Sequence, residues 1–348
     1  MPAIKVLGID SQIATSDHAR RLAELVSADQ NMMVRQYWLS NTGTFQFVFQ
    51  YLKALLSSDL VILADWRLTL FFYASRKKYI FWEVENPYHV HRSFLTKILL
   101  TLTIRWPIRN TQAILISTDQ FREKLNRRYY RYRSSTYFTI AREDLSDIAF
   151  VENHGKQNQD RFSNAQIIIG YFGRFSDLTG AEELLKLVER PGFTSNFIGP
   201  HHHNSLSQVS LDLLDRLAIK ELVYPEVSTA FQAVQASDVL VGVTKLSSHD
   251  PGTKYQTPGK ILDYLWTNKP IVATFSPGLE ILFDYTPQKF GVYFVPQNFR
   301  LADLQETIYL ACRTEIDPSQ RKGLLTRIFK MNRDRISEVL QSAELIDA

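Results

Sequence analysis

The sequence predicts an α/β protein built from two domains, each a parallel sheet covered by helices. Three observations lead there. Short apolar strand-like runs alternate with amphipathic helical stretches along most of the chain, a pattern that implies parallel strands with helices on both faces. The alternation stops once, across the polar residues 151–165, and then resumes. With 348 residues the chain is too long for one ordinary core, and 45% hydrophobic residues are enough to bury two.

Taken in order, 4–9 reads as a strand and 17–28 as a helix with Asp17 near its cap. A second strand is expected at 32–37, a helix at 46–57, and buried strands at 60–64, 79–84 and 113–117. A basic helix over 121–130 and a strand at 136–140 follow. Glu152-Asn-His-Gly-Lys-Gln-Asn-Gln-Asp160 is polar and contains glycine, as a linker or exposed loop does. The second series begins at Gln166, includes a helix at 229–236 and a strand at 270–274, and ends in helices within 316–345. The expected division is therefore 1–150, a linker at 151–165, a second domain at 166–330, and a terminal helix at 331–348 returning to the first domain.

Composition excludes several classes. A single cysteine, Cys312, leaves no internal disulfide framework and no cysteine-rich zinc site, which points to a reducing, cytoplasmic home. No run of about eighteen apolar residues is present, so no membrane span is expected. The first ten residues read as a strand and lack the features of a signal peptide.

The segment Tyr255-Gln-Thr-Pro-Gly-Lys-Ile-Leu-Asp-Tyr-Leu-Trp-Thr-Asn-Lys-Pro-Ile-Val-Ala-Thr274 carries the most chemistry. Pro258-Gly259 reads as the entry to a helix, because proline in the first turn loses an N–H that has no partner there. The helix start offers free N–H groups and partial positive charge, and Lys260 adds a full one, so an anion such as a diphosphate suits it. Ile261, Leu262 and Leu265 can dock the helix on a sheet, and Thr267-Asn268 is expected to end it. The ordinary reading is helix punctuation with a Lys–Asp surface pair.

The order Tyr-x-x-Pro-x-Lys-x-x-Asp-Tyr-Leu, then Asn-Lys-Pro-Ile-Val-Ala-Thr and Ser276-Pro-Gly-Leu-Glu280, resembles the donor domain of GT-B glycosyltransferases. The family pattern there is Tyr-x-Ser-Pro-x-Lys-x-x-Glu-Tyr-x-Ala-x-Gly-Lys-Pro-Val-Val-Ala. Ile167-Ile-Ile-Gly-Tyr-Phe-Gly-Arg-Phe-Ser-Asp-Leu-Thr-Gly180 is similar to the strand and loop opening that domain, and Phe197-Ile-Gly-Pro200 and Ala236-Ser-Asp-Val-Leu-Val241 to its later strands. The resemblance implies two Rossmann-like domains facing a cleft, with a nucleotide sugar on the C-terminal domain. It implies a glycan or lipid-linked acceptor on the N-terminal one, as in bacterial-type synthesis of cell-surface polysaccharide or glycolipid.

Carried over residue by residue, the resemblance places Gly173 and Arg174 at the donor diphosphate with Lys260. Pro258 and Tyr255 lie in the loop before the helix, and Asp263 takes the place of a ribose-binding glutamate. The base is expected near 223–227. No cofactor and no metal are implied, since cationic side chains and a helix terminus meet the phosphate charge. Two departures stand out. Thr179 occupies a position where many members have a phosphate-binding lysine, and Tyr255 stands where many have the first of two glutamates, which leaves retention or inversion open. A catalytically degenerate protein that keeps nucleotide or glycan binding is the alternative reading.

For the acceptor side, Trp82-Glu-Val-Glu-Asn-Pro-Tyr-His-Val-His91 supplies Glu83, Glu85 and His89 as candidate catalytic residues. A carboxylate within hydrogen-bond reach of an acceptor hydroxyl serves as a base, and an extended i, i+2 pair shares a side. They equally fit solvated residues at a strand end. His201-His-His203 cannot easily converge on one ion from a short loop and reads as an exposed loop after a strand.

Between 87 and 133, Arg92, Lys97, Arg105, Arg109, Arg122, Lys124, Arg127, Arg128, Arg131 and Arg133 face only Asp119 and Glu123. Apolar and aromatic residues from Phe94 to Trp106 and from Tyr129 to Tyr132 lie among them. The mixture suits an anionic membrane surface and peripheral attachment. A core helix beside a solvated basic face fits the same residues, and nucleic acid is not expected as a partner.

Overall fold

The computed structural model of the chain describes residues 3–9, 33–39, 60–63, 79–83, 98, 114–117, 134–137, 166–173, 175–201, 203–223, 227–245 and 258–342. Two compact units divide it. The first comprises Met1–Ile140, Asp250–Gln256 and Ile328–Ala348, and the second Ala141–His249 and Thr257–Arg327.

The first unit contains a six-stranded parallel sheet of β1 (Ala3–Ile9), β2 (Met33–Leu39), β3 (Leu60–Leu63), β4 (Tyr79–Glu83), β5 (Ile114–Ser117) and β6 (Ser134–Tyr137), in the order β2-β1-β3-β4-β5-β6. Runs such as Leu60-Val-Ile-Leu63 have the near-continuous apolar composition typical of strands in parallel sheets. The last strand begins two residues before the expected 136. Its register, Ile114↔Ser134 to Ser117↔Tyr137, is decided by pairing with β5 and not by its own polar composition. The helices expected at 17–28, 46–57 and 121–130 lie outside the described residues.

The second unit holds a five-stranded parallel sheet: β7 (Ile167–Phe172), β8 (Phe193–Ile198), β9 (Val239–Gly242), β10 (Ile271–Thr274) and β11 (Val292–Val295), ordered β11-β10-β9-β7-β8. Among its helices are α1 (Ala181–Val188), α2 (Gln208–Arg216), α3 (Val227–Val234), α4 (Gly259–Tyr264), α5 (Pro277–Leu282) and α6 (Leu301–Cys312); α7 (Pro318–Ser342) continues into the terminal segment. Every residue of β9 and β10 is buried. Helix α1 shows why the alternation folds this way: Ala181, Leu184, Leu185 and Leu187 form one buried stripe, with Glu182 and Lys186 paired on the other side. These leucines join Ile169, Tyr171, Phe175, Phe197 and Val241 in one core.

Helix starts follow their sequence signals. Ser207 caps α2 by accepting from the Ser210 N–H at 3.2 Å, and Ser276 caps α5 by accepting from Leu279 at 3.1 Å, with Pro277 just inside. Asp238 fastens the sheet's entry edge: its carboxylate accepts the Ile168 N–H and its own N–H donates to Ile168 O, both at 2.8 Å. Among the described residues no helix is long and apolar enough to cross a membrane.

Candidate functional site

The strand order of the second unit reverses at β7, with β8 on one side and β9 on the other. Ligands of open parallel sheets bind beyond the carboxyl ends of the strands at such a reversal. Here those ends lead into residues 173–180 after β7 and 243–245 after β9. The β7–β9 pairing is registered at Ile169↔Val239 and Gly170↔Leu240. Further along, the Phe172 N–H donates to the Tyr264 hydroxyl at 2.8 Å. Tyr264 is fully buried, and desolvation first, then the neighbouring Tyr171, pushes its phenol well above the usual range. It stays neutral and pins α4 to the end of β7.

Lys260 reaches this opening from α4. A Cβ on Gly242 would stand 3.5 Å from Lys260 Cδ and 2.2 Å from Ile261 Cδ1, so the glycine ending β9 leaves room for both side chains. The Lys260 ammonium donates to the Tyr171 hydroxyl at 2.6 Å and lies 4.2 Å from the centre of the Tyr171 ring. Tyr171 has no exposed surface and stands edge-on to Phe175 and Phe197, with ring centres 5.3 and 6.2 Å away.

Two glycines and a set of hydrogen bonds shape the loop after β7. Gly173 has φ of 121° and Gly199, after β8, has 135°, both in territory that side chains disfavour. A Cβ on Gly199 would fall 2.1 Å from Gly173 O, so the two turns can touch only with glycine there. Gly173 N–H donates to Ile198 O at 2.8 Å and Phe175 N–H to Pro200 O at 3.0 Å, extending the β7–β8 ladder outward. Thr179 works within the loop: its hydroxyl donates to Ser176 O at 2.8 Å and accepts from Ser176 N–H at 3.0 Å. Asp177 accepts from Ser207 N–H and the Ser210 hydroxyl, each at 2.6 Å, and so ties the loop to α2.

Of the residues singled out in the sequence, Gly173, Pro258, Lys260 and Asp263 fall in this unit, on the loop after β7 and at α4. Asp263 is buried, with 5% exposure. Glu83 is the last residue of β4, in register with Ser117. Arg174, Tyr255, Glu85 and His89 lie outside the described residues. Within the 87–133 region, Ile98 is helical and 42% exposed.

Three expectations change. Pro258 is not in the first helical turn; it caps α4 in an extended conformation, φ −63° and ψ 126°. Helix α4 ends at Tyr264 and not at Thr267-Asn268; at six residues it spans under about two turns, so Lys260 and not a long helix dipole provides most of the positive charge. The histidine loop is not uniformly exposed either. His201 bridges to Phe175, its ring centre 5.5 Å from that phenyl ring, and its Nε2 is buried without a hydrogen-bond partner among the described residues. Desolvation lowers its pKa, which keeps it neutral at pH 7; His203 is exposed.

Two residues of the site were missed. Lys245, after β9, donates its backbone N–H to Leu178 O at 2.8 Å and pairs its ammonium with Glu183 on α1. Tyr171 was read only as part of an apolar strand, although a hydroxyl two residues before the Gly173 turn was the available signal. Among the described residues no cluster of three or more His, Cys, Asp or Glu could hold a metal ion.

No protein-family model matches the chain, and no curated protein sequence matches it. Its architecture is nonetheless shared with solved structures over almost the whole length, and it is the GT-B fold. HepE of Anabaena, solved in complex with UDP-glucose, is similar with a TM-score of 0.69 at 13% identity, over 97% of this chain and 99% of its own. Sucrose-phosphate synthase from Thermosynechococcus elongatus gives 0.62 at 14% identity, over 99% and 97%. WaaG, a glycosyltransferase involved in lipopolysaccharide biosynthesis, gives 0.58 at 11% identity, over 96% and 95%.

Proposed function

We propose that this chain is a glycosyltransferase that moves a sugar from a nucleotide-sugar donor to a glycan or lipid-linked acceptor, in the synthesis of cell-surface polysaccharide or glycolipid. The observation that carries the reading is the Lys260 ammonium, held at the strand-order reversal beside the turn that begins at Gly173. The UDP-glucose bound by HepE supports the ligand class.

In this reading Arg174 and Lys260 take the diphosphate, with Gly173 letting its backbone approach. Asp263 binds the ribose hydroxyls, and Pro258 and Tyr255 shape the loop leading to it. Leu222, which bridges to Gly199, and Val223 after it, 44% and 61% exposed, offer apolar surface to the base. The acceptor hydroxyl loses its proton to one of Glu83, Glu85 or His89, and its oxygen bonds to the anomeric carbon. The bond from that carbon to the phosphate oxygen breaks, and the nucleoside diphosphate leaves with its charge met by Lys260 and Arg174. Neither a metal ion nor a cofactor has a role in this scheme.

Screening nucleotide sugars for thermal stabilisation tests the reading. The donor, at roughly a hundred times its dissociation constant, is expected to add about 2.7 kcal/mol of stability. A melting curve unmoved by every nucleotide sugar sinks it, and binding without transfer or hydrolysis selects a degenerate binding protein instead.

The basic 87–133 region is assigned to anionic headgroups around a lipid-linked acceptor, giving peripheral association with the inner face of a membrane. Flotation with anionic vesicles is expected to fall when Arg127, Arg128 and Arg131 are neutralised together. Unchanged flotation removes that assignment.

A further inference from the structure

The geometry points to Tyr171 as a positioning residue, whose phenol holds the Lys260 ammonium where the donor diphosphate binds. The inference rests on the donor-site reading above and adds to it a residue that does not touch the ligand.

A lysine side chain has a flexible four-carbon stem, and its charge is poorly located unless something fixes its end. For Lys260 two features of one side chain do so. The Tyr171 hydroxyl accepts from the ammonium at 2.6 Å, and the ring centre is 4.2 Å away from it. The ring is itself immobile, fully buried in β7 and braced edge-on by Phe175 and Phe197. The stem has a fixed route as well, past Gly242 at the end of β9.

The partner's chemistry matters as much as its position. A neutral phenol locates an ammonium without cancelling its charge, and it occupies one of three N–H donors. Among the described residues Lys260 makes no ion pair. Lys245 near the same strand ends is different, because Glu183 neutralises it. Thr179 cannot contribute a charge, and its hydroxyl is engaged with Ser176. The cation that joins Arg174 at the diphosphate therefore comes from α4, and Tyr171 sets where it stands.

Replacement of Tyr171 by phenylalanine keeps the ring and removes the hydroxyl. Calorimetric titration with UDP, dTDP, GDP and ADP first identifies the tightest diphosphate for the unaltered protein, and its parent nucleoside serves as an uncharged probe. Tyr171→Phe is expected to weaken the diphosphate about three- to tenfold, the net worth of one ordinary hydrogen bond, because the ammonium keeps its charge and loses only its positioning, with nucleoside affinity and melting temperature unchanged. Added to Lys260→Met, it is expected to cause no further loss, since the two act as one unit.

Diphosphate affinity unchanged in Tyr171→Phe but lost in Lys260→Met overturns the inference and leaves the donor site standing. So does an additive loss in the double variant, or a parallel loss of nucleoside affinity, which marks a structural defect. If no diphosphate binds the unaltered protein, or Lys260→Met binds as well as it does, the donor-site reading falls and takes the inference with it.

Discussion

Replacing Arg321 with alanine is expected to destabilise the second unit by roughly 3–5 kcal/mol, read as a lower urea midpoint with unchanged slope. Arg321, on α7, has no exposed surface. Its guanidinium donates to Phe290 O at 2.7 Å, to Thr267 O at 2.5 Å and to Gly291 O at 3.3 Å. Burial pushes its pKa down to about 9, which still leaves it charged at pH 7. One side chain thus ties α7 to the segment following α4 and to the start of β11. Truncation removes the donors from buried carbonyls and opens a large cavity at once. Arg321→Lys is expected to recover only part of the loss, because a single ammonium cannot reproduce the planar fork. A cost below about 1 kcal/mol for Arg321→Ala would show that the carbonyls find other partners.

Lys260→Met is expected to lower diphosphate affinity about 10- to 100-fold, the range for hydrogen bonds to a charged group, while leaving the fold intact. Lys260 carries its charge at the strand-order reversal, beside a neutral phenol, and methionine keeps much of the stem that passes Gly242. The loss should shrink as salt rises, since part of it is Coulombic. Asp263→Ala is expected to act on a different portion of the ligand: it should weaken nucleoside and diphosphate alike, because a carboxylate that accepts from ribose hydroxyls serves both. Titration calorimetry separates the two patterns. Equal diphosphate affinity in Lys260→Met and the unaltered protein would remove the lysine from the site.

Much of the fold was legible because it is written in local pattern. Apolar runs such as Leu60–Leu63 and Ile271–Thr274 announce parallel strands, and both strands appear where the pattern puts them or within one residue. The serine before Pro277 and the leucine stripe of α1 are short-range signals of the same kind. The end of α4 was not legible to the residue, since after Tyr264 the turn goes on in tighter i, i−3 bonds, Trp266 N–H to Asp263 O and Thr267 N–H to Tyr264 O, which the apolar pattern does not distinguish from α-helix. The strand at Ser134–Tyr137 escaped by two residues because a parallel partner, β5, chose its register.

For the candidate site, the sequence by itself determined the chemistry on offer: a lysine after Pro258-Gly259, a carboxylate one turn on, and a glycine turn after the first strand of the second series. Only the tertiary structure decided how these groups are held. Tyr171 and Lys260 meet across 89 residues, and Arg321 reaches Thr267 across 54. Contacts at that separation leave no periodicity in the chain, and a tyrosine in an apolar strand reads the same whether its hydroxyl meets a lysine or a carbonyl. The order of strands brought β7 beside β9, and the missing side chain of Gly242 let the lysine through. Both are properties of packing, which local propensity does not encode.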